Sequence, residues 1–280
     1  MSGGIEQNPR LPGGLRPTLS TAGLAGQWVA EATDPFGAPL VYAVGDVHGM
    51  DDLLAGMLAC IEVDASQRRP PATVVFLGDV VNRGPQTRQV LDRLTAGPTC
   101  QGQRWIVLRG NHEQAMLEAV TTHDEAKFRR WLKMGGMQSL ASYGGTRKHA
   151  TPDRARALID PAHVDFLSGL SLTHVVGDYL FVHAGVEPGV PLHKHRPHKL
   201  MTMRGGFLKK VHRLPYVVVH GHTPALGGPM IGPGRIGVDT GACISGILTA
   251  VAIEPNSDVR RFLRVTTTPS RADAVVPARS

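Results

Sequence analysis

Three short polar stretches, each set directly behind an apolar run, limit what this chain can fold into: Gly45-Asp46-Val47-His48-Gly49, Gly78-Asp79-Val80-Val81-Asn82-Arg83-Gly84 and Gly110-Asn111-His112-Glu113. The runs ahead of them, at 40–44, 73–77 and 105–108, are short and rich in Val, Ile and Leu, as buried strands are. A helical stretch follows each motif, at 51–61, 86–94 and 113–120. Strand, polar turn and helix in threefold succession predict βαβ units and a mainly parallel sheet. Ligands gather at the carboxyl ends of such strands, which collects Asp46, His48, Asp79, Asn111 and His112 into one cluster.

The residue types name a chemistry. Carboxylate, imidazole and amide oxygen suit hard or borderline divalent ions, and the scarcity of thiols argues against a soft sulfur site. One Gly-Asp-x-His-Gly alone would be an ordinary turn with a helix cap. Three in series point to a metal site.

These motifs, in this order and about thirty residues apart, resemble the signature of the calcineurin-like metallophosphoesterases, and more narrowly the phosphoprotein phosphatase branch in its small bacterial and phage form. Val182-His183-Ala184-Gly185 and Gly221-His222-Thr223-Pro224 agree with it, and the likeness runs from about residue 40 to 246. The resemblance implies an α/β fold: a β-sandwich of two mixed sheets flanked by helices, in αββα layers. It also implies two divalent ions, manganese foremost, with iron, zinc or nickel as alternatives. Asp46, His48 and Asp79 would hold one ion, and Asp79, Asn111, His183 and His222 the other, so that water is acidified for in-line attack on phosphorus. His112 would give a proton to the leaving oxygen, and Arg83 and Arg204 would bind the phosphoryl group. The family usually carries Asp where this chain has Asn82, beside the catalytic histidine, and a neutral amide there predicts activity biased toward good leaving groups.

Serine/threonine protein phosphatase is the expected activity, supported by Glu113 and by the stretch 135–144, which is similar to a helical insert of the bacterial phosphatases. A symmetrical dinucleoside-polyphosphate hydrolase is the alternative in the same fold, and a catalytically silent phosphate- or protein-binding module the alternative of another class. The expected partner is a phosphorylated protein or a small phosphoester.

Composition enters as a set of exclusions. With 42% hydrophobic residues in 280, a substantial core is available, and the motif series requires one domain, read as 38–266 between a loose lead-in at 1–37 and a tail at 267–280. No apolar run is long enough to span a membrane and no secretory signal is recognisable, so the expected compartment is cytoplasmic. The charge of +7 is spread along the chain without a basic block, which fits attraction of anionic substrates and gives no support to nucleic-acid binding. Cys60, Cys100 and Cys243 are too few and too scattered for a disulfide framework.

Farther along, helices are predicted at 124–132, 136–143 and 161–170, a hairpin from 171–174 and 179–182, and strands at 216–219, 235–238, 246–253 and 259–265. His193, His195 and His198, in a Pro-rich basic stretch, share no helix or strand face and are read as solvated loop residues. His220 is expected to be buried or to support His222.

Overall fold

The computed structural model describes residues 29–30, 40–68, 72–254, 260–267 and 276–277. In chain order, β1 (Val29–Ala30) is followed by β2 (Leu40–Val44), α1 (Asp51–Ser66), β3 (Ala72–Phe76), α2 (Thr87–Ala96), β4 (Gln103–Val107) and α3 (Asn111–Thr121). A helical excursion comes next: α4 (Glu125–Trp131), a π turn at Leu132–Gly136, α5 (Met137–Ser142), α6 (Pro152–Leu158) and α7 (Pro161–Ser168). The second half contributes β5 (Thr173–Val176), β6 (Tyr179–Val182), α8 (Pro197–Thr202), α9 (Gly205–Lys209), β7 (Val217–His220), β8 (Met230–Gly232) and β9 (Arg235–Gly237). It closes with α10 (Ala242–Ser245), β10 (Ile247–Ile253), β11 (Arg260–Thr266) and β12 (Val276–Pro277).

The strands form two sheets, in the orders β12-β11-β10-β2-β3-β4 and β1-β5-β6-β7-β9-β8. The sheet carrying the three motifs is parallel across β2, β3 and β4, as the βαβ pattern requires, and antiparallel where β10 meets β2 and β11. Both sheets are therefore mixed.

Alternation along single strands explains the layering. Side chains one residue apart on a strand face opposite ways. Tyr42 and Val44 join the core under α1, α2 and α3, whereas Val41 and Ala43 join a second core with Phe181, Val219 and Ile236 of the other sheet. Phe76 and Val75 divide in the same way, as do Ala252 and Val251. On the far sheet Leu180 and Val218 turn outward to a third core with Leu200, Met201 and Phe207. Strands that are apolar on both faces can be buried only in such a stack, with helices outside and the two sheets meeting in the middle.

Several boundaries differ from the sequence expectation. Helix α1 runs five residues past 61, and β5 starts at 173, two residues later than expected. His195 is buried rather than solvated: its Nε2 accepts the Glu187 N–H at 2.7 Å and its Nδ1 faces the Pro191 carbonyl at 3.0 Å, so it stitches the loop it sits in. His193 and His198 are exposed as expected. Most of 1–37 and of 267–280 lies outside the described residues, but β1 pairs with β5 and β12 pairs with β11 inside those two segments. Among the described residues no helix is long and apolar enough to cross a membrane.

Candidate active site

The five motifs end up in one place because β2, β3 and β4 of one sheet and β6 and β7 of the other deliver their carboxyl ends to the same edge of the sandwich. The loops interlock through their backbones: His48 N–H donates to Asp79 O at 2.9 Å, Gly49 N–H to Val80 O at 2.8 Å and Gly84 N–H to His48 O at 2.9 Å. Glu113, fully buried, accepts from the N–H groups of Gly110, Asp79, Val80 and Val81 at 2.7 to 3.2 Å. That tie carries the strain of the turn. Among the described residues, the non-glycine positions with positive φ are His48, Asp79, Asn82, Arg83 and His222, all of them expected site residues. Such conformations cost on the order of 1–3 kcal/mol each and persist where the surroundings impose them. At Gly110 and Gly221 the contacts explain the missing side chain, since a Cβ would lie 2.2 Å from Asp79 Oδ1 and 2.1 Å from Asp46 Oδ1.

Asp79 is at the centre. Its Oδ2 lies 3.3 Å from His183 Nε2, 3.8 Å from His48 Nε2 and 3.9 Å from His112 Nε2. His183 Nε2 is also 3.2 Å from Asn111 Oδ1 and 3.2 Å from His222 Nδ1. The other ring nitrogens of His183 and His48 donate to the carbonyls of Leu77 at 2.8 Å and Val81 at 3.0 Å, so in the neutral rings both Nε2 lone pairs point at the Asp79 carboxylate. Lone pairs aimed at a buried anion are unfavourable unless a cation stands between them, and donor atoms converging from Asp79, His48, His183, Asn111 and His222 fit divalent ions. Asp46 reaches the group through the His222 N–H, 3.1 Å from both of its oxygens.

The electrostatics agree. Burial would raise Asp79, but His183, His112 and His48 outweigh it and hold the carboxyl well below the usual range. Burial would lower His183, yet Asp79 and Asp46 raise it to about 10, so in the metal-free chain a proton does the work of a cation. Burial, reinforced by Asp239, pushes Asp46 up.

His112 is as near Asp79 as His48 is, so distance alone does not separate it from the residues that could hold a metal. Its hydrogen bonds do. Trp131 Nε1, which can only donate, meets Asn82 Oδ1 at 2.9 Å, and Ser139 Oγ donates to the same oxygen at 2.8 Å. Asn82 Nδ2 is thereby left to donate to His112 Nδ1 at 3.1 Å, which fixes the ring proton on Nε2. Burial, together with Arg83 and His183, lowers His112 to about 4 despite Asp79, so the ring is neutral at pH 7. Its Nε2–H then faces the Arg83 Nη2 donor at 3.2 Å. Two donors at that separation call for an acceptor between them, and an anionic phosphoryl oxygen supplies one.

Arg204 lies across the opening on exposed chain, donating from Nε to His222 Nε2 at 3.0 Å and from Nη2 to the His222 carbonyl at 3.2 Å. An ion taken by His222 Nδ1 requires the ring proton on Nε2, which excludes the first of these bonds and frees the guanidinium for an anion. His220 is buried and packs edge-on against Phe207. One buried carboxylate of the site went unread in the sequence: Asp239, which lines the same cavity of about 240 Å³ as Asp46 and Arg83. The signal was present, because Gly237-Val238-Asp239-Thr240-Gly241 repeats the pattern of an aspartate between glycines at the end of a strand.

A model of the calcineurin-like phosphoesterases matches residues 39–245, most of the chain and all five motifs. The chain belongs to that family. Among curated relatives, the chain is 32% identical over 152 residues to a symmetrical bis(5'-nucleosyl)-tetraphosphatase of Bordetella pertussis, a match over 52% of this chain and 43% of the relative. It is 29% identical over 148 residues to the enzyme of that name from Methylococcus capsulatus, covering 53% and 44%. The chain thus spans less than half the length of the curated relatives it matches. Its fold is shared with a solved structure assigned as a diadenosine tetraphosphatase, at a TM-score of 0.58, 23% identity and coverage of 82% and 94%. A cold-active protein tyrosine phosphatase shares it at a TM-score of 0.54, 17% identity and coverage of 82% and 79%.

Proposed function

We propose that this phosphoesterase hydrolyses phosphoanhydride bonds of nucleoside polyphosphates, with symmetrical dinucleoside polyphosphates as its lead substrates. The observation that carries the reading is the hydrogen bond from Asn82 Nδ2 to His112 Nδ1. It fixes the ring proton of His112 on Nε2, while burial keeps the ring neutral, so the residue has one proton to share as a hydrogen bond and no positive charge to give away. A serine or threonine alkoxide cannot leave without a full proton, whereas a terminal phosphate, with a second pKa of about 6, departs as the anion. The site is thus matched to an anhydride.

Divalent ions held by Asp46, His48, Asp79, Asn111, His183 and His222, manganese foremost, would supply Lewis-acid polarisation of the phosphoryl oxygens and a water acidic enough to attack at neutral pH. The chain's own residues do the rest. Arg83 Nη2 and His112 Nε2–H converge on one phosphoryl oxygen, and Arg204 neutralises charge at the opening. The oxygen that Arg83 and His112 share is the one that departs, so His112 steadies it by hydrogen bonding, while the proton lost by water goes to solvent. One P–O bond forms, one P–O–P bond breaks, and the products are two phosphate-terminated nucleotides.

The names of the curated relatives support the same substrate class. Both sequence arguments for a protein phosphatase meet a structural use instead. Glu113 binds four backbone N–H groups, and the 135–144 insert places Ser139 on Asn82 and Gly135 against the Arg83 backbone.

The test is a panel with purified chain and manganese: diadenosine tetraphosphate, a phosphoserine peptide and p-nitrophenyl phosphate. We expect kcat/KM on the dinucleotide to exceed that on the peptide by at least about a hundredfold, the lower end of what general acid catalysis contributes. The opposite ranking restores the serine/threonine phosphatase, and no turnover of any substrate leaves a binding module.

A further inference from the structure

The cavity that holds the polar residues continues onto an apolar rim. Pro224, Gly241 and Ile244 line it together with Asp46, Arg83 and Arg204. Leu226 and Ile244 are 54% and 62% exposed, two of the five large apolar side chains that stand out into solvent among the described residues. Single exposed apolar residues are ordinary, but these converge. A Cβ on Gly241 would sit 2.8 Å from Leu226 Cδ2, 3.6 Å from Pro224 Cβ and 3.8 Å from Ile244 Cβ, so the three side chains close over the glycine, at φ 70°, and form one apolar surface.

This shelf is fixed in place by Asp239. Its carboxylate accepts the Gly241 N–H at 2.8 Å, its carbonyl accepts the Ala225 N–H at 2.9 Å, and the Gly241 carbonyl accepts the N–H groups of Ile244 and Ser245 at 2.8 Å. Both loops of the shelf therefore hang on a residue that also faces the phosphoryl end. The spacing between the two ends is set before any ligand arrives.

A ligand filling this cavity meets Arg83 and Arg204 at one end and the apolar side chains of Pro224 and Ile244 at the other. We propose that Pro224, Leu226 and Ile244 take the base of a nucleotide whose polyphosphate lies over Asp79, and so confer preference for nucleoside polyphosphates over phosphates that lack a base. This rests on the phosphoanhydride reading above and adds the element that selects the substrate. A purine or pyrimidine loses little conformational freedom on lying against aliphatic side chains, and it keeps its polar edge in water. The three side chains offer contact area but no donor or acceptor, so the shelf reads the presence of a base and not its identity. Diadenosine and diguanosine tetraphosphates should then differ in KM by no more than about threefold.

The experiment compares wild-type chain with Leu226→Ser/Ile244→Ser and with Ile244→Phe, all loaded with manganese. The double variant should raise KM for diadenosine tetraphosphate about tenfold, equivalent to about 1.4 kcal/mol, and Ile244→Phe should lower it. The inhibition constant of inorganic tripolyphosphate, the same anhydride without a base, should stay within about twofold in both. Parallel changes for the two ligands, or a dinucleotide KM insensitive to both variants, overturn the shelf while leaving the anhydride reading intact. Wild-type turnover of a phosphopeptide with none of any nucleotide overturns both.

Discussion

Because Trp131 has only a proton to offer, the Asn82 atom it meets is the oxygen, and everything about His112 follows from that orientation. Aspartate at position 82 would keep the Trp131 and Ser139 bonds with one oxygen and turn the other to His112 Nδ1 as an acceptor. Both ring nitrogens would then carry protons more readily, so that His112 keeps its Nε2–H and gains a positive charge. Asn82→Asp should raise kcat on a phosphoserine peptide at least about tenfold, the modest end of general acid catalysis, and change kcat on diadenosine tetraphosphate by no more than about twofold. A variant whose two rates move together would show that proton donation is not what position 82 controls. The amide could be read from the sequence, but its direction could not, since Trp131 and Ser139 lie 49 and 57 residues away. Nor could the positive φ at His48, Asp79, Asn82, Arg83 and His222, a conformation uncommon for any residue but glycine even though Asn, Asp and His tolerate it better than most.

Strand positions were legible wherever apolar runs end in polar turns, so β2, β3, β6 and β7 stand close to where the pattern puts them. Short elements such as α6, α9, α10 and β8 carry too few residues to show a period, and they were missed. The insert from α4 to α5 was legible as helices but not in its purpose. Its kink at Gly135 has φ 97°, and a Cβ there would lie 2.6 Å from Arg83 N, whose N–H donates to the Gly135 carbonyl at 3.3 Å. Gly135→Ala should therefore push on the Arg83 turn, raising KM for the phosphorylated substrate about tenfold and lowering stability by about 1–2 kcal/mol, read from steady-state kinetics and urea denaturation. A second junction binds α1 to β2 and β11: Asp64 accepts from Tyr42 Oη at 2.6 Å and from Arg261 Nη1 and Nη2 at 2.6 and 2.9 Å. Burial would raise this carboxyl, but Arg261, Tyr42 and Arg68 hold it below its ordinary value. A depressed folded pKa means stability that is complete above the unfolded value of about 3.9 and is lost as pH falls through the lower folded one. Asp64→Asn should cost about 2 kcal/mol at pH 7, and the gap from wild type should close below about pH 4 in denaturation curves taken across that range. A gap that persists in acid would mean that the junction acts through packing alone.

The residues proposed to hold the ions are split between the two sheets: Asp46, Asp79 and Asn111 follow β2, β3 and β4, whereas His183 and His222 follow β6 and β7. Between the sheets lies a core of Val41, Val75, Phe181, Val219 and their neighbours, which holds the sandwich together without ions. Ions bound at its edge would add a second attachment between the halves, and whatever binds only the folded chain stabilises it by mass action. At a free manganese concentration a hundred times Kd the gain is about 2.7 kcal/mol, which for a protein of this size raises Tm by about 5 °C. The gain should also depend on pH, because His183 holds a proton up to about 10 in the metal-free chain and must lose it to become a ligand. Binding is then weaker as pH falls, and the manganese-induced rise in Tm should shrink from pH 8 to pH 6. Asp79→Asn removes the carboxylate on which His48 and His183 converge, so it should abolish the rise while the unfolding transition with chelator present stays cooperative. Calorimetry of both chains, with manganese and with EDTA, decides the matter: an equal rise in wild type and Asp79→Asn would place the ions somewhere other than between the sheets.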